Sequence, residues 1–224
     1  MRTGGIPMAR QPPLVDVLIP TIGRPSLTQA MLSALAQTYP RTRVIVAADA
    51  NHLRTMNLFH RVNGLRRTMG KTIAELVTTP RPFGRGDRVK EWWIGNSDAA
   101  EIIHFVDDDD WIPPSAIAAM VAPMIDDPAV TLVTCSTLQL KLVDGSAVGY
   151  RLRPGRLERG QVVANSALFR KSAAGGVRLE SDPADPRFWL HDIAERGKHV
   201  ELTLPLYWYN ATREVKPNPI ETQR

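Results

Sequence analysis

Apolar residues along this chain fall into two rhythms. Short, nearly unbroken runs stand at Leu14–Ile19 (LVDVLI), Val44–Ala48 (VIVAA), Ile73–Thr78, Ile102–Val106 (IIHFV) and Val130–Cys135. Continuous rather than alternating hydrophobicity fits strands covered on both faces, as in a parallel sheet. Between them the period changes. Leu27, Ala30, Met31, Ala34 and Leu35 recur at helical spacing, with Pro25 placed to start the helix and Tyr39-Pro40 to end it. Ile117, Met120, Val121, Met124 and Ile125 draw a second stripe, and Val89, Trp92 and Trp93 mark a helix over Arg88–Ala99. Residues 52–70 fit neither rhythm. In the second half, Leu138–Leu152 alternates around Asp144-Gly145, a hairpin signal. Strands are expected at Gln161–Phe169 and Val200–Leu206, and a helix over Asp185–Gly197 closed by its glycine. Alternating strands and helices, followed by hairpin strands, predict an α/β fold with a mixed, mainly parallel sheet flanked by helices.

The boundaries follow from where the pattern fails. Residues 1–13 are Gly-, Pro- and Arg-rich and aperiodic, a loose arm. Residues 14–210 carry the pattern and read as a single domain. Residues 211–224 read as a polar, Pro-containing tail. A net charge of +5 suits a phosphate-bearing partner. The basic residues are scattered, with no Lys/Arg run interleaved with aromatics, so no nucleic-acid partner is expected. The chain's one cysteine, Cys135, excludes an internal disulfide and points to a reducing, cytoplasmic setting. No apolar run reaches the ~20 residues that span a bilayer, and no export signal is read. Peripheral contact with an anionic membrane surface stays compatible with the basic charge.

One stretch carries the chemistry. The run Ile102–Val106 ends in four successive carboxylates, Asp107 to Asp110, followed by Trp-Ile-Pro-Pro. Adjacent acids at an apolar strand end repel one another and lose solvation, so a counter-ion is needed. A hard divalent cation shared with substrate phosphates is one remedy; a solvated acidic turn or a calcium loop is another. Open α/β sheets bind ligands just beyond the carboxyl ends of their strands, which is where these acids fall. Neither a GxxxxGK[ST] loop nor a GxGxxG after the first strand is present, which argues against P-loop enzymes and dinucleotide dehydrogenases.

Four segments together resemble the GT-A glycosyltransferases, family two, an inverting group with many small bacterial members. They are VDVLIPTIGRPSLTQAMLSALAQTYP (15–40), VIVAAD (44–49), IIHFVDDDDWIPPSAI (102–117), and FWLHDIAERGKHVEL with PLYWYN (188–210). The resemblance implies transfer of a sugar, of hexosyl type, from a nucleotide-diphosphate donor to an acceptor hydroxyl. A UDP-sugar is the expected donor, with Mn²⁺ or Mg²⁺ as cofactor. By the same resemblance, Pro20 and Thr21 approach the nucleoside, Asp49 accepts from the base, Asp108 lies by the ribose, and Arg88 with Lys90 meets the diphosphate. Asp107 and Asp109 are the outer acids of the D-x-D motif that holds the metal. The general base falls in 182–192, with Asp185 first, Asp182 second and Asp192 third. Pro186 stands where the family has a second acid, and Ile22-Gly23 where it commonly has Tyr-Asn. The Pro186 departure keeps open a non-catalytic nucleotide-binding module, and the Ile22-Gly23 departure removes an aromatic contact to the base. A related nucleotidyltransferase is a further alternative, against which the short, glycine-poor TIGRP loop counts. Acceptor, pathway and oligomeric state are not readable from the sequence.

Overall fold

The structure is a computed structural model describing residues 11–49, 53–143, 146–158, 163–179 and 188–210. The proposed arm over 1–10 and the tail over 211–224 lie outside the described residues. Eight strands form one sheet: β1 (Val15–Thr21), β2 (Thr42–Ala48), β3 (Glu75–Thr78), β4 (Ile102–Phe105), β5 (Val130–Val143), β6 (Ser146–Arg153), β7 (Ala167–Arg170) and β8 (Lys198–Asn210). Their order is β3-β2-β1-β4-β7-β5-β6, with β8 also paired to β5. The first four strands are mutually parallel, β7 runs antiparallel to β4 and β5, β6 is antiparallel to β5, and β8 is parallel to β5. The sheet is therefore mixed and mainly parallel in its first half, as the hydrophobic runs predict.

Helices α1 (Leu27–Leu35), α2 (Leu53–Thr68), α3 (Gly86–Ile94), α4 (Ala116–Asp126), α5 (Lys171–Ala174) and α6 (Phe188–Ala194) complete the described elements. The period-two geometry of β1 splits the core between two layers. Val15, Val17 and Ile19 pack with α1, α2 and α4 on one side, and Leu18 packs with α3 and α6 on the other. Covering both faces is what a central parallel strand requires. Register then sets the site. Val15 pairs with Ile102 and Thr21 with Ala48. The β1–α1 loop, Asp49 and the acid turn after β4 thus emerge side by side at one sheet edge.

Sequence and structure differ in several places. Residues 53–68, left unassigned by periodicity, form the longest helix, with Thr55, Phe59, Val62 and Asn63 buried. Asn63 turns inward to exchange hydrogen bonds with the main chain of Ala74, at 2.8 and 3.0 Å. A polar side chain bonded in this way breaks the apolar stripe without weakening the packing. The helix expected over 88–99 begins earlier and stops at Ile94, where Asn96 and Asp98 form a side-chain turn (Asp98 N–H to Asn96, 2.9 Å). Val130–Cys135 and the first arm of the hairpin are one continuous strand, β5, kept in line by β8 along its length. The strand expected over 161–169 is reduced to β7, preceded by a short 3₁₀ turn. Ile125, assigned to the buried stripe of α4, is 48% exposed. The helix expected over 185–197 is described from Phe188 and ends at Ala194.

At the opposite edge from the acid turn, Asp16 of β1 is fully buried. Its carboxylate receives the Arg43 guanidinium (2.7 and 3.0 Å), the Trp93 indole N–H (3.2 Å) and the Ala100 amide (2.8 Å). This node ties β1, β2, α3 and the entry to β4 together.

Candidate active site

The loop after β1 is shaped by Gly23. Its φ of +85° is a left-handed conformation, and an added Cβ would lie 2.9 Å from the Thr55 amide nitrogen and hydroxyl. That tight turn brings Thr21 and Arg24 over the acids. The Thr21 hydroxyl accepts the Gly23 amide (2.9 Å) and donates to Asp108 Oδ2 (2.6 Å). Arg24 Nη1 donates to Asp108 Oδ1 (2.8 Å) and reaches Asp109 Oδ2 (3.4 Å).

From the other side, α3 projects Lys90, which is almost fully buried. Its Nζ donates to Asp107 Oδ1 (2.7 Å) and to Asn165 Oδ1 (2.9 Å), and sits 5.6 Å from the centre of the Phe105 ring. Placing an ammonium among a carboxylate, an amide oxygen and a ring face compensates its lost hydration. Asp110 points inward instead. It accepts the Tyr207 hydroxyl (2.5 Å) and the Asn210 amide (2.9 Å), both from β8. The neighbouring backbones of Trp111 and Trp208 exchange two hydrogen bonds, at 3.2 and 2.9 Å. The four consecutive acids therefore have three different settings, because a turn cannot send adjacent side chains the same way.

The electrostatics follow that division. Burial raises the Asp108 carboxyl above the usual carboxylate range, against the pull of Thr21 and Arg24. Burial, then the charges of Asp107 and Asp108, push Asp109 up to about 6. Asp110 is also raised well above the usual carboxylate range, by burial and by Asp107, despite its hydrogen bonds from Tyr207 and Asn210. Asp107 and Asp109 keep 37% and 33% of their side-chain surface exposed, whereas Asp108 keeps 4%. The outer two are the acids that still face solvent, each with one cation beside it.

These groups border a cleft of about 320 Å³, whose walls include Pro20, Thr21, Asp49, Lys90 and Tyr209. Asp49 is 6% exposed, and both its oxygens are engaged: the amides of Phe83 and Gly84 donate to it at 2.7 Å each, and Thr79 at 3.3 Å. It pins the 83–87 turn to the sheet edge. Pro20, Thr21, Asp49, Asp107, Asp108 and Asp109 are thus brought together as the sequence predicts. Arg88 is exposed and Asp192 is half-buried on α6; neither lines the cleft, and Lys90 takes the position beside the acids. Asp182 and Asp185 lie outside the described residues. Arg24, Asn165, Asp110 and Tyr207 were not singled out by sequence reasoning. The R-P pair after the first strand and the Tyr two residues before the last aromatic of PLYWYN were the available signals.

Comparison with known proteins agrees with this architecture. A family model described as "Glycosyltransferase like family 2" matches residues 12–170. The chain belongs to that family, a family of glycosyltransferases. Among solved structures, it resembles S. aureus TarS 1–349 in complex with UDP-GlcNAc, with a TM-score of 0.64 and 15% identity, over 91% of this chain and 60% of that one. The UDP complex of the same fragment gives 0.62 and 14%, over 88% and 60%. A longer TarS structure gives 0.63 and 13%, over 88% and 37%. At such identities the likeness speaks to the GT-A fold, and the chain spans three fifths or less of the length of those proteins. The sequence matches none of the curated proteins. Among the described residues, no helix is long and apolar enough to cross a membrane.

Proposed function

We propose that the protein transfers a sugar from a nucleotide-diphosphate donor, a UDP-sugar first, to an acceptor hydroxyl, with a divalent metal and inversion at the anomeric carbon. The observation that carries this reading is the acid turn. Two buried members, Asp108 and Asp110, are taken up by internal bonds, while Asp107, paired with Lys90, and Asp109, reached by Arg24 only at 3.4 Å, keep carboxylate surface open to the cleft. That pattern fits Mn²⁺ or Mg²⁺, which take one or two carboxylates and complete their shell with water and substrate phosphates. Among the described residues there is no group of three or more acid, His or Cys side chains placed to hold a metal ion by themselves. When bound, the metal neutralises charge building on the departing diphosphate.

The chain's own groups then divide the work. Asp107 and Asp109 hold the metal, and Lys90 sets the orientation of Asp107 while lending positive charge to the diphosphate. Thr21 and Arg24 hold Asp108 beside the ribose. Asp49 and Pro20 border the base, with Asp49 also fixing the turn that covers it. Arg88 stands one turn-face away and serves the diphosphate only at longer range. The acceptor hydroxyl gives its proton to an acid in 182–192, Asp185 first, then Asp182 or Asp192, as it attacks the anomeric carbon from the side opposite the diphosphate.

The test is calorimetric binding of UDP, GDP, CDP and dTDP, each with and without Mn²⁺, to wild type and Asp109→Ala. Mn²⁺-dependent binding of one diphosphate, lost in the variant, is expected. Folded wild-type protein that binds none of them would overturn the donor-site reading. Product NMR of the anomeric coupling checks inversion.

A further inference from the structure

The cleft does not end at Tyr209. In the sheet, Tyr209 of β8 lies opposite Gln139 of β5, and Gln139 lies opposite Arg151 of β6. Directly paired residues share a face, so these three side chains form one row. Arg153, two residues along the same face, donates from Nε to Gln139 Oε1 at 3.0 Å. Lys141 stands two residues from Gln139, again on that face. Tyr209 feels both ends: burial and Asp110, Asp109 and Asp107 raise its hydroxyl pKa, and Arg153 lowers it. Charges at both ends of the row are therefore close to its ring.

The opposite face of the same strands is different. Leu138 pairs with Leu152 and with Trp208, and Leu140 with Tyr150. Tyr150 is 80% and Leu152 54% exposed. Cations on an edge strand can serve only to discourage pairing with another sheet, and for that purpose either face would do. Here Lys141, Arg151 and Arg153 occupy only the face that continues the cleft wall, and neither β5 nor β6 contains an acid. A polar, cationic row with an aromatic at its inner end is thus built onto a cleft whose own floor is acidic.

Resting on the glycosyltransferase reading, we propose that this row is the acceptor track and that the acceptor is an anionic glycan, carrying phosphodiester or carboxylate groups. Tyr209 would lie along the sugar that enters the cleft, and Gln139, Arg151, Arg153 and Lys141 would hold successive substituents. Guanidinium groups recognise phosphate and carboxylate alike, as forked donors. The acidic floor would repel such an acceptor from the donor position and leave it to the track.

Calorimetry with three probes tests this: a hexagalacturonate for carboxylates, a phosphomannan fragment for phosphodiesters, and maltohexaose as the neutral control. Nucleotide binding is measured on the same samples. One charged probe is expected to bind at least about ten-fold more tightly than maltohexaose, and which one names the source of charge. Its affinity should fall with added salt. The double variant Arg151→Ala/Arg153→Ala should lose about ten-fold in that affinity, as expected when charge-assisted contacts are removed, with nucleotide binding unchanged. Equal binding of charged and neutral probes, no binding of any probe, or charged-probe binding untouched by the double variant would each overturn the track. Loss of nucleotide binding in wild type would overturn the donor-site reading alone, since the comparison of probes and variants still decides the track.

Discussion

The two ends of β1 handle buried negative charge in opposite ways. At the amino-terminal end, Asp16 is wholly enclosed and its carboxylate receives four donors from three surrounding segments. At the carboxyl-terminal end, Asp107 to Asp110 crowd together, and the cations bonded to them, Arg24 and Lys90, leave Asp109 with its carboxyl pushed up to about 6. The first arrangement is complete without a ligand. The second leaves carboxylate surface open at the cleft. A carboxylate whose lone pairs are filled by the fold belongs to the scaffold, whereas one left short of donors beside a cleft is an expense in stability retained for binding. The contrast separates structure from function more cleanly than burial alone, since Asp16, Asp108 and Asp110 are all buried.

Removing the scaffold node should have the largest effect on stability. Asp16→Ala strands the Arg43 guanidinium beside the apolar strand and is expected to cost about 3–5 kcal/mol, read as the shift in urea unfolding. The same denaturation on Asp109→Ala should move stability by less than about 1 kcal/mol, in either direction, because repulsion is relieved as contacts are lost. Equal losses in the two variants would erase the distinction drawn here. Next in size, Trp93→Phe removes one of the four donors to Asp16 and should cost about 1 kcal/mol, with nucleotide binding intact. The smallest effect concerns pH. Asp109 is raised to about 6 in the folded protein, against about 3.9 for an unfolded Asp. Between those values the folded state binds more protons, so the stability this group contributes is fully present below about pH 4 and is lost as pH rises through about 6. Asp109→Asn should remove that part of the slope in unfolding curves taken from pH 4 to 7, and a slope unchanged by the substitution would refute the assignment.

The parts of the molecule legible in the sequence were those governed by one dominant force. β1, β2, α1, β4 and α4 are set by burial, and burial writes a period. That Asp107, Asp108 and Asp109 gather at the cleft was legible for the converse reason: four adjacent charges at a strand end are costly and mark a special place. What stayed hidden depends on partners far along the chain. α2 has a polar anchor, Asn63, in its buried face, and its bond to Ala74 leaves no periodic trace. Lys90 and Arg88 are cations on one helix with only Val89 between them. Only the path of α3 over Phe105 decides that Lys90 turns to the acids. Asp110 looks like a fourth copy of its neighbours until Tyr207 and Asn210 are seen to claim it. Asp49 pins Phe83 and Gly84, a structural part that spacing alone could not indicate.

The clasp on Asp110 also has a consequence for the order of events during synthesis. The bonds from Tyr207 and Asn210 join residues 97 and 100 positions apart. On a chain made from its amino terminus at ~5–20 residues per second, the acid turn leaves the ribosome several seconds before the strand that closes it. During that interval β1 to β4 can pair and Thr21, Arg24 and Lys90 are already present for the other acids, but Asp110 has neither hydroxyl nor amide to hold it inward. The inward setting of Asp110 is therefore gained late, at the step that docks β8, and a nascent chain halted before Tyr207 carries the acid turn without its clasp.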